Sequence, residues 1–150
     1  MVAETISIIH GFLGMFLLMS FSGIIIGLFD QSKLKLIKYG SFSMLISSIL
    51  IFLTGTLTYI FYRAPGSARE KLLASSTPWV HSIFMELKEF MGVYVVILMV
   101  VFTYMVYYYK DSIFSNKNLK FLLVFLLVVI MLMTLLTFGL GAYITKVQPI

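Results

Sequence analysis

Four long apolar runs follow one another along the chain, and three short polar stretches separate them. The runs lie near 5–29, 40–62, 79–109 and 119–145. Each can cross a hydrocarbon core of ~30 Å, which takes about 20 helical residues. The connectors read "DQSKLKLIKY", "RAPGSAREKLLASSTP" and "KDSIFSNKNLK". In lipid every backbone amide needs an internal partner, so helices are the realistic form for such spans. Alternating crossings joined by short connectors predict an all-α integral-membrane fold. Residues 1–150 form a single domain in this reading, with four transmembrane helices in an up-down-up-down bundle.

Composition sharpens the class. Hydrophobic residues make up 61% of the chain and charged residues 11%, where a soluble domain is roughly a quarter charged. The mean hydropathy of +1.05 fits a multi-pass membrane protein. There is no cysteine, which excludes disulfides, thiolate metal sites, iron–sulfur clusters and covalent c-type haem. The formal charge of +5 does not imply nucleic acid. The basic residues sit in clusters beside apolar runs, where they act as topology signals or contact lipid headgroups.

The opening "MVAETIS" has no basic segment, and no small-residue cleavage site follows the first run. A retained first helix is expected. The first and third connectors hold Lys33, Lys35, Lys38, Lys110, Lys117 and Lys120, against Arg63, Arg69, Lys71, Lys88 and Lys146 on the other side. The dense lysines favour a plasma-membrane protein with both termini outside.

The polar residues are unevenly spread. The lysine-side halves of the spans look almost wholly apolar. The opposite halves hold His10, Thr54, Thr56, Thr58, Tyr59, Tyr62, His81, Glu86, Lys88, Glu89, Thr134, Thr137 and Tyr143. Ionisable residues inside a membrane are costly and mark functional candidates. At about 100° per residue, Met85, Lys88 and Gly92 fall near the direction of His81, and Glu86 points elsewhere. His10 and Gly14 share a face.

Three chemistries fit this end. The first is haem b, with His10 and His81, or one of them with Met85, as axial ligands. Gly14 would clear space for the porphyrin, Phe12, Trp79 and Phe84 would wall it, and Arg63, Arg69 and Lys71 would pair with the propionates. The levels of the two histidines count against their sharing one iron, because counted from the lysine end they differ by about 13 Å. The second is a quinone site, with Glu86, Glu89 and Tyr59 handling protons beside His10. The third is a metal bound by His10 and His81 with the glutamates, although neither Glu-x-x-His nor His-x-x-x-His occurs.

Each feature also has a plainer reading. His10 can bond a neighbouring carbonyl and do nothing more. His81 follows Ser76-Thr77-Pro78, which reads as a helix start, so it can be an ordinary interfacial residue. Glu86, Lys88 and Glu89 can stand in the headgroup region, with Lys88 snorkelling. The methionines can be flexible packing.

No nucleophile–base pair, phosphate loop or dinucleotide fingerprint is present, so a stand-alone enzyme is not expected. The architecture has a general resemblance to small four-helix membrane anchors of respiratory complexes, although architecture alone does not assign function. The expectation is a subunit of a respiratory or redox complex that binds haem b, exchanges electrons with quinone and contacts other membrane subunits. The alternative is a cofactor-free accessory subunit that stabilises a larger membrane complex.

Overall fold

The computed structural model describes residues 2–147. It is built from helices alone among these residues: α1 (Val2–Phe29), α2 (Leu34–Tyr62), a short α3 (Ala68–Leu73), α4 (Glu86–Tyr108) and α5 (Lys117–Val147). A π-helical segment, Val80–Met85, leads directly into α4. Four of these stretches are long and apolar enough to span a membrane: Glu4–Phe29, Leu34–Tyr62, Val80–Tyr108 and Lys117–Val147. The chain is a multi-pass membrane protein with an all-α fold.

α2 begins six residues before the expected start of the second span. The reason lies in its inward face. Leu34 is half-buried and Ile37 fully buried, and Ile37 lies against Gly27 of α1. Lys35 lies on the exposed face of the same turns, so its charge does not interrupt the helix. The connector contracts to Asp30 and the 3₁₀ turn Gln31–Lys33. Asp30 caps this turn by accepting bonds from the Ser32 amide at 3.0 Å and hydroxyl at 2.7 Å.

The contacts between α1 and α2 run in opposite order along the two helices. Gly27 meets Ile37, Ile24 meets Gly40, Ser20 meets Ser43 at 3.2 Å, and His10 meets Thr54 at 3.0 Å. The two helices are therefore antiparallel. The same order holds between α2 and α4. Thr103 donates to the Ser41 carbonyl at 3.1 Å near one end, and Tyr62 meets His81 at the other. α4 and α5 pair likewise, with Phe84 on Tyr143 and Lys88 on Gly141.

Lipid supplies no hydrophobic drive between helices, so close packing and interhelical hydrogen bonds hold the bundle. Gly27 and Gly40 provide that closeness. A Cβ on Gly27 would lie 2.5 Å from Ile37 Cγ1 and 3.1 Å from the Ile37 amide nitrogen, and one on Gly40 would lie 2.7 Å from Ile24 Cγ1. Gly23 shares a helical face with Gly27 in sequence, yet it borders open space. The apolar core around Leu17, Phe21, Met44, Met99, Phe102 and Ile130 fills the lysine-side half.

The buried polar exceptions on α2 in that almost wholly apolar half are serines. Ser41, Ser47 and Ser48 are buried on α2. Their hydroxyls donate to carbonyls three or four residues back, at 2.9, 2.8 and 2.8 Å. Serines can hide in a lipid-embedded helix because its own backbone satisfies them. They act as small packing residues, and composition alone does not separate that role from a polar path.

Candidate functional site

The ionisable residues of the opposite end form three neighbouring groups. His10 and Glu89 stand about 20 residues of helix above Phe29 and Tyr109, near the upper edge of a hydrocarbon core, and the His81 group stands farther out.

The outermost group is His81, Tyr62 and Arg69. The π turn directs Val80, His81 and Met85 inward, a widening often found at functional positions. His81 is buried. Arg69 Nε donates to His81 Nε2 at 3.2 Å, and Tyr62 Oη lies 3.0 Å from Nδ1. A guanidinium N–H can only donate, so Nε2 carries no proton. Neutral His81 then donates from Nδ1 to the Tyr62 oxygen. Arg69 belongs to α3, whose Ala68 and Leu72 pack with Tyr62, Val80, Met85 and Ile144 in a second apolar cluster.

The second group is Glu89, Tyr59 and Arg63. Tyr59 and Arg63 are the neighbours that act electrostatically on the Glu89 carboxylate, and Arg63 makes no ion pair with it within 4 Å among the described residues. Arg63 also lies over the Tyr59 ring, 4.7 Å from its centroid. Glu89 Oε1 is buried and has no hydrogen-bond partner among the described residues. The other such atom is the Ser7 hydroxyl of α1. By the antiparallel register of α1, α2 and α4, Ser7 stands at about the level of Lys88 and Glu89.

The innermost group is His10, Thr54 and Lys88. His10 Nδ1 is 3.0 Å from Thr54 Oγ1. Its ring fills the notch left by Gly55, where a Cβ would come within 3.1 Å of Cε1. Lys88 fills a matching notch at Gly141, where a Cβ would lie 3.2 Å from Cε and 3.5 Å from Nζ. The ammonium is near enough to His10 to act on its charge. Lys88 therefore turns into the bundle and does not snorkel outward. Among the described residues it makes no ion pair within 4 Å.

The two histidines meet α2 eight residues apart, at Thr54 and Tyr62, about 12 Å along the axis. The fold does not bring them to one point. Both nitrogens of His81 are engaged, so it could ligate iron or another metal only by leaving Tyr62 and Arg69. Met85 is buried among apolar side chains. Gly14 faces the Phe138 ring, 3.5 Å from where its Cβ would stand, so this space is already lined by a side chain. Phe12 is 67% exposed and looks away from the bundle. Trp79 packs edge-on against Phe84 at 5.2 Å. Arg63 and Arg69 are engaged by Tyr59 and His81, and Lys71 and Glu86 are exposed. Among the described residues no three His, Asp or Glu side chains converge as a metal-holding group.

The polar partners lay within reach of sequence reasoning and the notches did not. Thr54 and Tyr62 stand on α2 at the levels of His10 and His81 once the antiparallel register is known. Gly55 and Gly141 look like any membrane-helix glycine until the facing side chain is seen. Ser7 carries no local signal.

Comparison with protein-family models, with curated proteins and with solved structures finds no match to this chain.

Proposed function

We propose that this chain is an integral-membrane subunit of a redox assembly, and that its polar end receives a quinol-type ring and takes its proton. The observation that carries this reading is Glu89. It presents a buried carboxylate oxygen without a partner at the edge of the hydrocarbon core. A hydroxyl donor of the ligand would satisfy that oxygen, and leaving it unsatisfied is costly.

The neighbouring groups have matching roles. Glu89 accepts the hydroxyl proton as general base. Tyr59 and Arg63 orient the carboxylate. Lys88, with His10 held by Thr54, keeps positive charge near the anion that forms. The His81–Tyr62–Arg69 cluster stands between this site and the outer connector, where protons leave. Full oxidation of a quinol releases two protons and two electrons. The electrons pass to a one-electron redox centre of a partner subunit.

Haem b has less support, because a haem would depend on His10 alone. The dense lysines of the α1–α2 and α4–α5 connectors support a plasma-membrane orientation with both termini outside.

The test is titration of the detergent-purified protein with a short-chain benzoquinol, followed by a reduced-minus-oxidised visible spectrum. Glu89→Gln should weaken quinol binding by about 10-fold or more, the loss expected for a hydrogen bond to a charged acceptor. Glu86→Gln, on the exposed face, should not. Equal binding by wild type and Glu89→Gln would remove the quinol reading. A b-type α-band would restore haem, and absence of both would leave the accessory-subunit reading.

A further inference from the structure

The other end of the bundle carries a different feature. An open apolar groove of about 190 Å³ runs between α1 and α5. Ile25, Leu28 and Phe29 form one wall, and Val124, Leu127 and Val128 form the other. The groove reaches the membrane surface at Phe29, whose ring is 78% exposed. Directly over this ring stands Lys120, with Nζ 6.0 Å from the Phe29 centroid and 5.5 Å from that of Phe114. Lys120 lies one turn above Val124 on α5, and Lys117 lies nearly one turn above Lys120.

The geometry points to a binding site for one anionic phospholipid, with an acyl chain in the α1–α5 groove and its phosphodiester on Lys120, supported by Lys117. Three observations lead there. The groove lining is wholly apolar, so it takes a hydrocarbon chain and rejects a polar ligand. Its mouth lies where the apolar run of α1 ends at Phe29 and Asp30, which is headgroup level. This end carries six lysines against two aspartates, and the aspartates are already engaged, Asp30 by Lys33 at 3.3 Å and Asp111 by Lys110 at 3.9 Å. Among the described residues Lys120 makes no ion pair. Two aromatic faces hold its ammonium over the groove and leave its charge uncompensated. A zwitterionic lipid fits the groove equally well but gains less from Lys120, so charge is the source of selectivity.

The test is native mass spectrometry of the full chain in detergent, titrated with phosphatidylglycerol or phosphatidylcholine of identical acyl chains. Wild type should retain one phosphatidylglycerol in preference to phosphatidylcholine. Lys120→Gln should weaken phosphatidylglycerol by about fivefold and leave phosphatidylcholine unchanged, the effect of one lysine near an anionic headgroup. Val128→Trp should fill the groove and lower retention of both lipids. Lys110→Gln, at the same end but beside Asp111, should match wild type. Equal retention of the two lipids by wild type, or equal losses from Lys110→Gln and Lys120→Gln, would overturn the site. Should Val128→Trp fail to insert, the two lysine variants still decide the question.

Discussion

Arg69 Nε lies 3.2 Å from His81 Nε2, and that contact assigns the imidazole proton to the other nitrogen. One of the two candidate ligand histidines, His81, is instead a neutral clasp. It joins α3 to the start of the third span, with Tyr62 of α2 on its other side at 3.0 Å. α3 is six residues long, too short to persist without tertiary support. Its support is this clasp together with the burial of Ala68 and Leu72.

Arg69→Ala should therefore loosen α3 and leave the four spans inserted. The expected cost is about 1 kcal/mol for one hydrogen bond. Hydrogen exchange should show faster amide exchange across Ala68–Leu73 and none of that change in α1 or α5. Unchanged protection of α3 would mean that Ala68 and Leu72 hold it alone.

The glycines make a second, directional prediction. Gly27→Leu and Gly40→Leu should each destabilise the α1–α2 pair by about 1–3 kcal/mol, because backbone or β-branched side chains stand where the new atoms must go. Gly23→Leu should be tolerated, since nothing lies within 4 Å of its Cβ position. Reversible unfolding in mixed detergent micelles reads all three. A similar loss from Gly23→Leu would mean that the α1 face is wrongly placed.

These cases show what sequence can and cannot carry. The four spans were legible because lipid imposes length and apolarity on every crossing residue. The inward turn of Lys88 was not, because it depends on a missing Cβ at Gly141 of another helix. The roughly 12 Å separation of His10 and His81 along α2 agrees with levels counted from the lysine end, because helical rise is fixed. The second connector reads as a turn at Pro65-Gly66 followed by a short amphipathic piece, where α3 lies, but the clasp of Arg69 on His81 depends on tertiary placement. Glu89 and Tyr59 could be named as candidates, but the burial of Glu89 Oε1 without a partner required the packing of α4 against its neighbours.

Asp30 offers a prediction in pH. Bonds from the Ser32 hydroxyl and amide, and then Lys33, hold its carboxyl below the ordinary carboxylate range. A depressed folded value means that the carboxylate stabilises the turn. That contribution is complete above the unfolded Asp value and is lost as pH falls through the folded one. Carbonyl-carbon NMR of labelled aspartate should find Asp30 titrating at lower pH than aspartate in an unstructured peptide. Ser32→Ala should move Asp30 upward, and an unmoved titration would show that Ser32 is not the cause.

Lys88 sets stability against the proposed chemistry. Its stem and ammonium lie against Gly141, and no carboxylate stands within 4 Å among the described residues. Holding an unpaired cation at the edge of the hydrocarbon core costs folding energy. Methionine has a similar length and suits an irregular apolar space. Lys88→Met should then raise bundle stability by about 1 kcal/mol, the usual gain when a functional residue is replaced by one chosen for packing. The same variant should weaken binding of a short-chain benzoquinol, because the positive charge beside Glu89 is gone. Unfolding in mixed micelles and quinol titration on one preparation measure both effects. Gain of stability with loss of binding is the signature of a residue kept for function. Loss of stability would instead make Lys88 a structural tie between α4 and α5, and unchanged binding would remove it from the quinol site.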